Sequence, residues 1–179
     1  GYVVVPNVLS KEEIAEAKRL MRGWQDTIPD HERFHSSVNP HGIYKYHRAG
    51  HTEHAWFIRT LPAVQQLYAL LWDVPEDEMV VSHDGCCYIS KSCKKKDKIW
   101  THSDQAPTAT GFQCWQSFVA LTENRERTLV VYEKSHLVHK EYFAAKGVGS
   151  SSKAWQRIDL VDLPDIAHMK RVLHVPAGA

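Results

Sequence analysis

The sequence predicts an α+β domain in which helices pack on a β-sandwich or jelly roll. Two helical segments come first along the chain, and a run of short strand-like segments follows them. Such segregation of helices and strands is typical of α+β proteins and not of alternating α/β folds. A length of 179 residues with 43% hydrophobic residues allows a sizeable core. We therefore expect one domain over residues 1–179.

Two segments carry the helical signals. The first begins at a capping box, in which Glu13 follows Ser10 by three positions, and apolar residues up to Trp24 then recur at helical spacing. The second begins at Pro62, because proline is tolerated in the first turn, and we expect it to end before Pro75. The apolar faces of both helices, Trp24 included, are expected to pack in the core.

Strand-forming residues follow in several short runs. They cover residues 79–90, 112–121, 128–132 and 171–175, in addition to residues 2–5 at the beginning of the sequence. Residues 112–121 are largely apolar on both faces, as in a strand inside a sandwich. Asp84-Gly85 fits either a hairpin turn or a β-bulge. A short helix over residues 136–145 and a Gly/Ser-rich linker over 147–153 are also predicted, and the polar residues 26–54 predict loops with an irregular strand near residues 42–46.

Charge and composition argue against several classes of partner. The formal net charge of +1 gives no reason to expect nucleic acid or a membrane surface. No apolar run reaches the roughly 18 to 20 residues of a membrane span, and the first residues do not resemble a signal peptide. The four cysteines (Cys86, Cys87, Cys93 and Cys114) fit no zinc-binding spacing. We expect reduced thiols and a cytoplasmic location.

The run WTHSDQ at residues 100–105 carries the clearest functional signal. His102 and Asp104 stand two apart in an extended segment, so their side chains are expected on one face, where both can reach one metal ion. With a distant histidine they would form the facial triad of non-heme iron(II) oxygenases. His51 and Glu53 are a rival pair, but no strand signal flanks them. Twelve histidines in all agree with a metal protein.

The order of motifs along the chain resembles the phytanoyl-CoA dioxygenase family, a branch of the iron(II)/2-oxoglutarate-dependent oxygenases. Residues 1–10 are similar to the family's opening, and residues 56–62, 71–72 and 81–85 are similar to a branch found in microbial eukaryotes and viruses. Residues 100–107, 114–121, 128–131 and 135–136 are similar to the metal-binding core, in the same order. The resemblance extends over nearly the whole chain.

The resemblance implies a double-stranded β-helix of the jelly-roll or cupin-like type with N-terminal helices packed on it. It implies Fe(II), held by His102 and Asp104, and 2-oxoglutarate as cosubstrate. A small organic substrate would be hydroxylated with O2, and succinate and CO2 would be released. It further implies that Lys45 and Phe118 lie beside the cosubstrate, although Lys45 is also explained as a solvent-facing strand residue and Phe118 as core. Gln116 is expected to line the same pocket, because it lies on the same strand face as Phe118.

The sequence departs from the family pattern in two places. Arg127 stands where the family usually has glycine before the strand at 128–131. The family's distal iron-binding histidine and its cosubstrate arginine follow a turn like that at residues 175–178, and the sequence ends at Ala179. His168 and His174 precede this turn and match neither role. The second departure predicts a C-terminally truncated dioxygenase-like domain without its last strands, its third metal ligand and the arginine.

Two other functions remain open from the sequence. One is a binding domain that keeps the jelly roll and has lost the chemistry, which the missing histidine favours. The other is a hydrolytic or isomerising metal protein that uses zinc or manganese on the same architecture, since a fold does not determine a function. The absence of a glutamate base near His102 and Asp104 makes it the weaker alternative.

Overall fold

The computed structural model describes residues 1–30, 41–82, 84–90 and 99–179. The helices are α1 (Lys11–Asp26), α2 (Glu53–Arg59), α3 (Pro62–Trp72) and α4 (Ser135–Ala145). The strands are β1 (Ile43–Tyr44), β2 (Cys86–Cys87), β3 (His102–Ser103), β4 (Val130–Tyr132), β5 (Gln156–Arg157) and β6 (Lys170–Val172). Within the described ranges no helix is long and apolar enough to cross a membrane.

The chain divides into two compact units. One contains Gly1–Val5 and Ile99–Pro176, and the other contains Pro6–Lys98 and Ala177–Ala179. We call them the strand unit and the helical unit, because β3 to β6 belong to the first and α1 to α3 belong to the second. The single domain over residues 1–179 stays a prediction.

The helical unit begins with α1, where the predicted capping box is confirmed. Ser10 Oγ accepts from the Glu13 backbone N–H at 3.1 Å, and a Glu13 carboxylate oxygen accepts from the Ser10 N–H at 2.7 Å. Trp24, near the end of α1, packs against a buried cluster of Ile28, Tyr44 and Ala49. Its predicted place in the core is therefore confirmed, and it joins α1 to the segment around β1.

The pairing of β1 with β2 depends on a glycine. The two strands are antiparallel, with Ile43 opposite Cys87 and Tyr44 opposite Cys86. A Cβ on Gly85 would lie 1.9 Å from the Tyr44 carbonyl oxygen, so any other residue would push the two backbones apart. Gly85 is therefore needed where its backbone lies close to the backbone of β1.

In the strand unit, each short strand pairs with a distant one. β3 pairs antiparallel with β5, with His102 opposite Arg157, and β4 pairs antiparallel with β6, with Val131 opposite Arg171. Beyond β6, Val175 forms an isolated bridge with Asn124. Helix α4 buries Phe143, which is 2% exposed. The strands at 128–132 and 171–175 and the helix at 136–145 are thus confirmed, with shorter strands than expected.

Other sequence-based expectations differ from the structure. Residues 2–5 and 112–121 form no strand, and residues 79–90 contribute strand only at β2 among those described. A strand needs a backbone ladder with a neighbour, and an apolar pattern alone does not supply one. Helix α2 was not predicted, and its first two residues fall in the stretch 26–54 that was expected to form loops. The described residues form helices and two-stranded antiparallel sheets with no closed barrel, and the jelly roll stays a prediction.

Candidate metal centre

The strand pair β3–β5 places the two predicted metal ligands side by side. His102 Nε2 lies 3.3 Å from Asp104 Oδ1. The His102 side chain is 19% exposed and the Asp104 side chain is 46% exposed. The imidazole is therefore partly buried, and the carboxylate is open to solvent. The structure therefore brings together the two side chains that the His-x-Asp spacing predicted would share a face.

A backbone carbonyl determines which nitrogen of His102 carries hydrogen. His102 Nδ1 lies 2.7 Å from the Trp100 carbonyl oxygen. A carbonyl oxygen only accepts hydrogen bonds, so Nδ1 must donate, and the Nε2 of a neutral ring then presents its lone pair to Asp104. Metal-binding histidines typically donate their second ring N–H in this way to a carbonyl or carboxylate.

Two tryptophan rings pack against the His102 ring. The Trp100 and His102 ring centroids are 4.5 Å apart with a 35° interplanar angle, and the Trp155 ring stacks at 5.4 Å and 30°. Lys153 Nζ lies 5.8 Å from the Trp155 ring centroid. The rings restrict rotation of the imidazole. Sequence reasoning missed Trp155, because its approach to His102 depends on the β3–β5 pairing.

The geometry of the pair fits a shared metal ion. Nitrogen and oxygen ligands about 2.1 Å from one ion lie about 3.0 Å apart at a right angle and about 3.4 Å apart in a tetrahedron. The observed 3.3 Å lies between these values. Two lone-pair atoms facing each other repel unless a cation or a proton lies between them, so the pair suits either a metal or an imidazolium–carboxylate contact.

No third ligand joins the pair among the residues that the structure describes. Within them, no group of three His, Cys, Asp or Glu side chains is arranged to hold a metal ion. Burial, and to a lesser degree the neighbouring Cys87, raises the pKa of the Cys86 thiol to about 12, so this cysteine stays protonated and is a poor ligand. Cys86, Cys87 and Cys114 are free thiols, as predicted, and Cys93 lies outside the described residues.

The turn that carries Asp104 is held by a histidine from α4. Ser103 Oγ donates to the Gln105 carbonyl at 3.1 Å and accepts from the Gln105 N–H at 3.3 Å. His139 Nε2 lies 2.9 Å from Ser103 Oγ and 3.1 Å from the Gln105 carbonyl oxygen. Sequence reasoning predicted the helix but missed His139, because no local signal connects it with a turn 36 residues earlier.

The three residues assigned to the cosubstrate pocket are all exposed. Lys45 is exposed directly after β1 in the helical unit, beside a cavity of about 360 Å³ that Arg48, His51 and Asp84 also line. Gln116 is exposed and Phe118 is 47% exposed, in a stretch without strand structure. The sequence placed both on one strand face, and that strand is absent. Their roles stay predictions.

The rival histidines have other partners. His51 Nδ1 accepts a hydrogen bond from Trp56 Nε1 at 3.0 Å, and Glu53 begins α2, so this pair does not form a strand-borne site. His174 Nε2 lies 2.8 Å from Glu123 Oε2 and 3.2 Å from Arg125 Nε. His136 and His168 are exposed. Among the candidate metal ligands in the described part of the chain, His102 and Asp104 lie side by side, as their spacing predicted.

Comparison with known proteins gives one distant relation. A segment of 115 residues is 30% identical to the Ava biosynthesis cluster protein O of Aspergillus versicolor. It covers 62% of this chain and 36% of that protein, so the chain matches little more than a third of the relative's length. No protein-family profile matches the chain, and no solved structure matches it.

Proposed function

We propose that the protein is an iron(II)- and 2-oxoglutarate-dependent dioxygenase, of the phytanoyl-CoA dioxygenase type, that hydroxylates a small organic substrate. The observation that carries the proposal is the 3.3 Å approach of His102 Nε2 to Asp104 Oδ1, with the other imidazole nitrogen engaged by the Trp100 carbonyl. A histidine and a carboxylate in this relation are two of the three ligands of the facial triad. The order of sequence motifs supports the same assignment.

Each residue of the proposed site has a defined task. The Asp104 carboxylate supplies negative charge and one oxygen ligand, and His102 supplies a nitrogen ligand. The Trp100 carbonyl holds the imidazole N–H, while the rings of Trp100 and Trp155 keep water from the faces of the imidazole. When bound together, Fe(II) and 2-oxoglutarate supply oxidative chemistry that places one atom of O2 in a C–H bond and the other in succinate.

The name of the relative from Aspergillus versicolor suggests a class of substrate for this proposal. Its name assigns that protein to a biosynthesis cluster. We propose by analogy with this name that the substrate here is a biosynthetic small molecule.

A second candidate function is a jelly-roll binding domain without catalysis. It is favoured by one observation, the lack of a third His, Cys, Asp or Glu beside His102 and Asp104 among the described residues. Such a domain would need no metal, and an imidazolium–carboxylate contact would then explain the 3.3 Å approach.

Mn(II) binding separates the two candidates. We expect the protein to bind Mn(II) and so to remove the electron paramagnetic resonance signal of the free ion. His102→Ala and Asp104→Ala should weaken Mn(II) binding at least about 100-fold. Loss of a group that merely hydrogen-bonds a ligand already weakens metal binding by roughly 10- to 100-fold, and these variants remove a ligand itself. His168→Ala, a change at an exposed histidine, is the matched control and should bind as the wild type does. Equal Mn(II) affinity in all four proteins would favour the non-catalytic domain.

A further inference from the structure

We propose that His139 is a positioning residue that fixes the turn carrying Asp104 and so sets the distance between the two metal-binding atoms. The inference rests on the proposed metal site and extends it to a residue outside the His-x-Asp motif. His139 contacts neither Nε2 of His102 nor the Asp104 carboxylate in the described contacts; it acts through Ser103 and Gln105.

The directions of the hydrogen bonds show how His139 holds the turn at Asp104. Since the Gln105 carbonyl oxygen only accepts, the proton between it and His139 must be on His139 Nε2. The same N–H reaches Ser103 Oγ at 2.9 Å, and the Ser103 hydroxyl hydrogen is directed at the Gln105 carbonyl. One imidazole N–H therefore joins both ends of the turn, and Asp104 is the residue between them.

The helix that presents His139 is itself anchored. The His139 ring packs edge-on against Phe143, with centroids 4.9 Å apart, and Phe143 is buried. Next to Phe143, Tyr142 Oη donates to Asp162 Oδ2 at 2.7 Å, and Lys146 Nζ lies 2.7 Å from the same oxygen. A rigid helix can hold a loop in place, whereas a mobile one cannot.

The same contacts of Tyr142 connect α4 to the strand pair that carries His102. Tyr142 Oη also accepts from the Asp159 N–H at 3.3 Å, and Asp159 follows β5 by two residues. β5 is the strand opposite His102, and the Ile158 N–H donates to the Thr101 carbonyl at 3.0 Å. Helix α4 is thus attached to the strand pair that carries one ligand and, through His139, to the turn that carries the other.

Co(II) is the probe for this inference, since its visible d–d absorption reports coordination geometry without turnover. His139→Leu keeps the volume but removes the donor. We expect Co(II) affinity to fall by about 10-fold, the lower end of the range for groups that hydrogen-bond a ligand directly, because His139 acts through Ser103 and Gln105. His139→Gln offers an amide N–H in place of Nε2–H and should recover part of the affinity. His136→Leu, on the same helix at an exposed position, is the matched control and should bind as the wild type does.

Two further measurements separate positioning from folding. The Gln105 amide, which donates to Ser103 Oγ, should exchange its hydrogen faster in metal-free His139→Leu, while the unfolding temperature stays within a few degrees of the wild type. Ser103→Ala breaks the same turn from the other side. If both residues act on one turn, the double variant should lose less Co(II) affinity than the product of the two single losses.

The outcomes distinguish this inference from the proposed function. Wild-type Co(II) affinity in His139→Leu, with His102→Ala still deficient, overturns the inference and leaves the proposed function standing. Absence of His102-dependent Co(II) binding in the wild type overturns both. The inference is also overturned if His139→Leu and His139→Gln lose the same Co(II) affinity and both lose helix content. His139 would then act only through the stability of the fold.

Discussion

Phe143→Ala is expected to destabilise the protein by about 3 to 5 kcal/mol, the usual result of removing a fully buried phenylalanine side chain. Phe143 is 2% exposed and packs edge-on against the rings of His139 and Tyr142, with centroids 4.9 and 5.0 Å away. Alanine would leave a cavity under the helix that holds the Asp104 turn. Urea unfolding followed by circular dichroism should show a lower midpoint for the transition that includes α4.

The same helix provides the control for this prediction. Leu137 is 68% exposed, so Leu137→Ala removes apolar atoms without opening a cavity, and its effect should remain within about 0.5 kcal/mol. Equal unfolding free energies for Phe143→Ala and Leu137→Ala would mean that α4 is not packed as described, and would also weaken the case for His139 as a positioning residue.

Acid is expected to destabilise the protein through His54. This residue is 4% exposed, contacts the Trp24 ring at a centroid distance of 5.5 Å, and shares a 2.7 Å hydrogen bond with the Thr52 hydroxyl through Nδ1. Burial, and to a lesser degree the nearby Arg59 charge, lowers the pKa of His54 to about 4. The folded protein therefore holds His54 neutral.

The direction of the pH dependence follows from the two protonation states. An unfolded histidine has a pKa near 6.5, so between about pH 6.5 and pH 4 the unfolded chain binds a proton that the folded protein does not. The stability contribution of neutral His54 is fully present above about pH 6.5 and is lost as the pH falls towards 4. At roughly 1.4 kcal/mol for each pH unit, the loss approaches about 3 kcal/mol.

A variant with no ionisable group at this position isolates the effect. Unfolding free energies of the wild type and His54→Gln, measured from pH 7.5 to 4, should differ in slope, with the shallower slope in the variant. His136→Gln removes an exposed histidine instead and should follow the wild-type slope. Parallel curves for the wild type and His54→Gln would show that His54 does not titrate with the lowered pKa.

Local signals predicted much of the secondary structure and one pair of site residues. The capping box at Ser10 and Glu13 predicted the start of α1, because it consists of hydrogen bonds between residues three apart. Pro62 predicted the start of α3 for a similar local reason. His102 and Asp104 were found because an extended backbone alone brings residues two apart to one face.

Features that depend on distant parts of the chain were not predictable. Trp155 stacks on His102 only because β5 pairs with β3, and His139 reaches the Asp104 turn only because α4 packs there. The apolar alternation at residues 112–121 satisfied the strand pattern, but pairing needs a neighbouring backbone that the pattern does not specify. Helix α2 begins at a Thr52 cap inside a polar stretch, where apolar periodicity gave no signal.

The central claim is that His102 and Asp104 hold Fe(II) to which 2-oxoglutarate binds. Anaerobic addition of Fe(II) and 2-oxoglutarate to the purified protein, followed by visible absorbance, tests it most directly. We expect a weak charge-transfer band that is lost in His102→Ala and in Asp104→Ala and is retained in His168→Ala. A wild-type protein without this band, or a band of equal strength in His102→Ala, would contradict the claim.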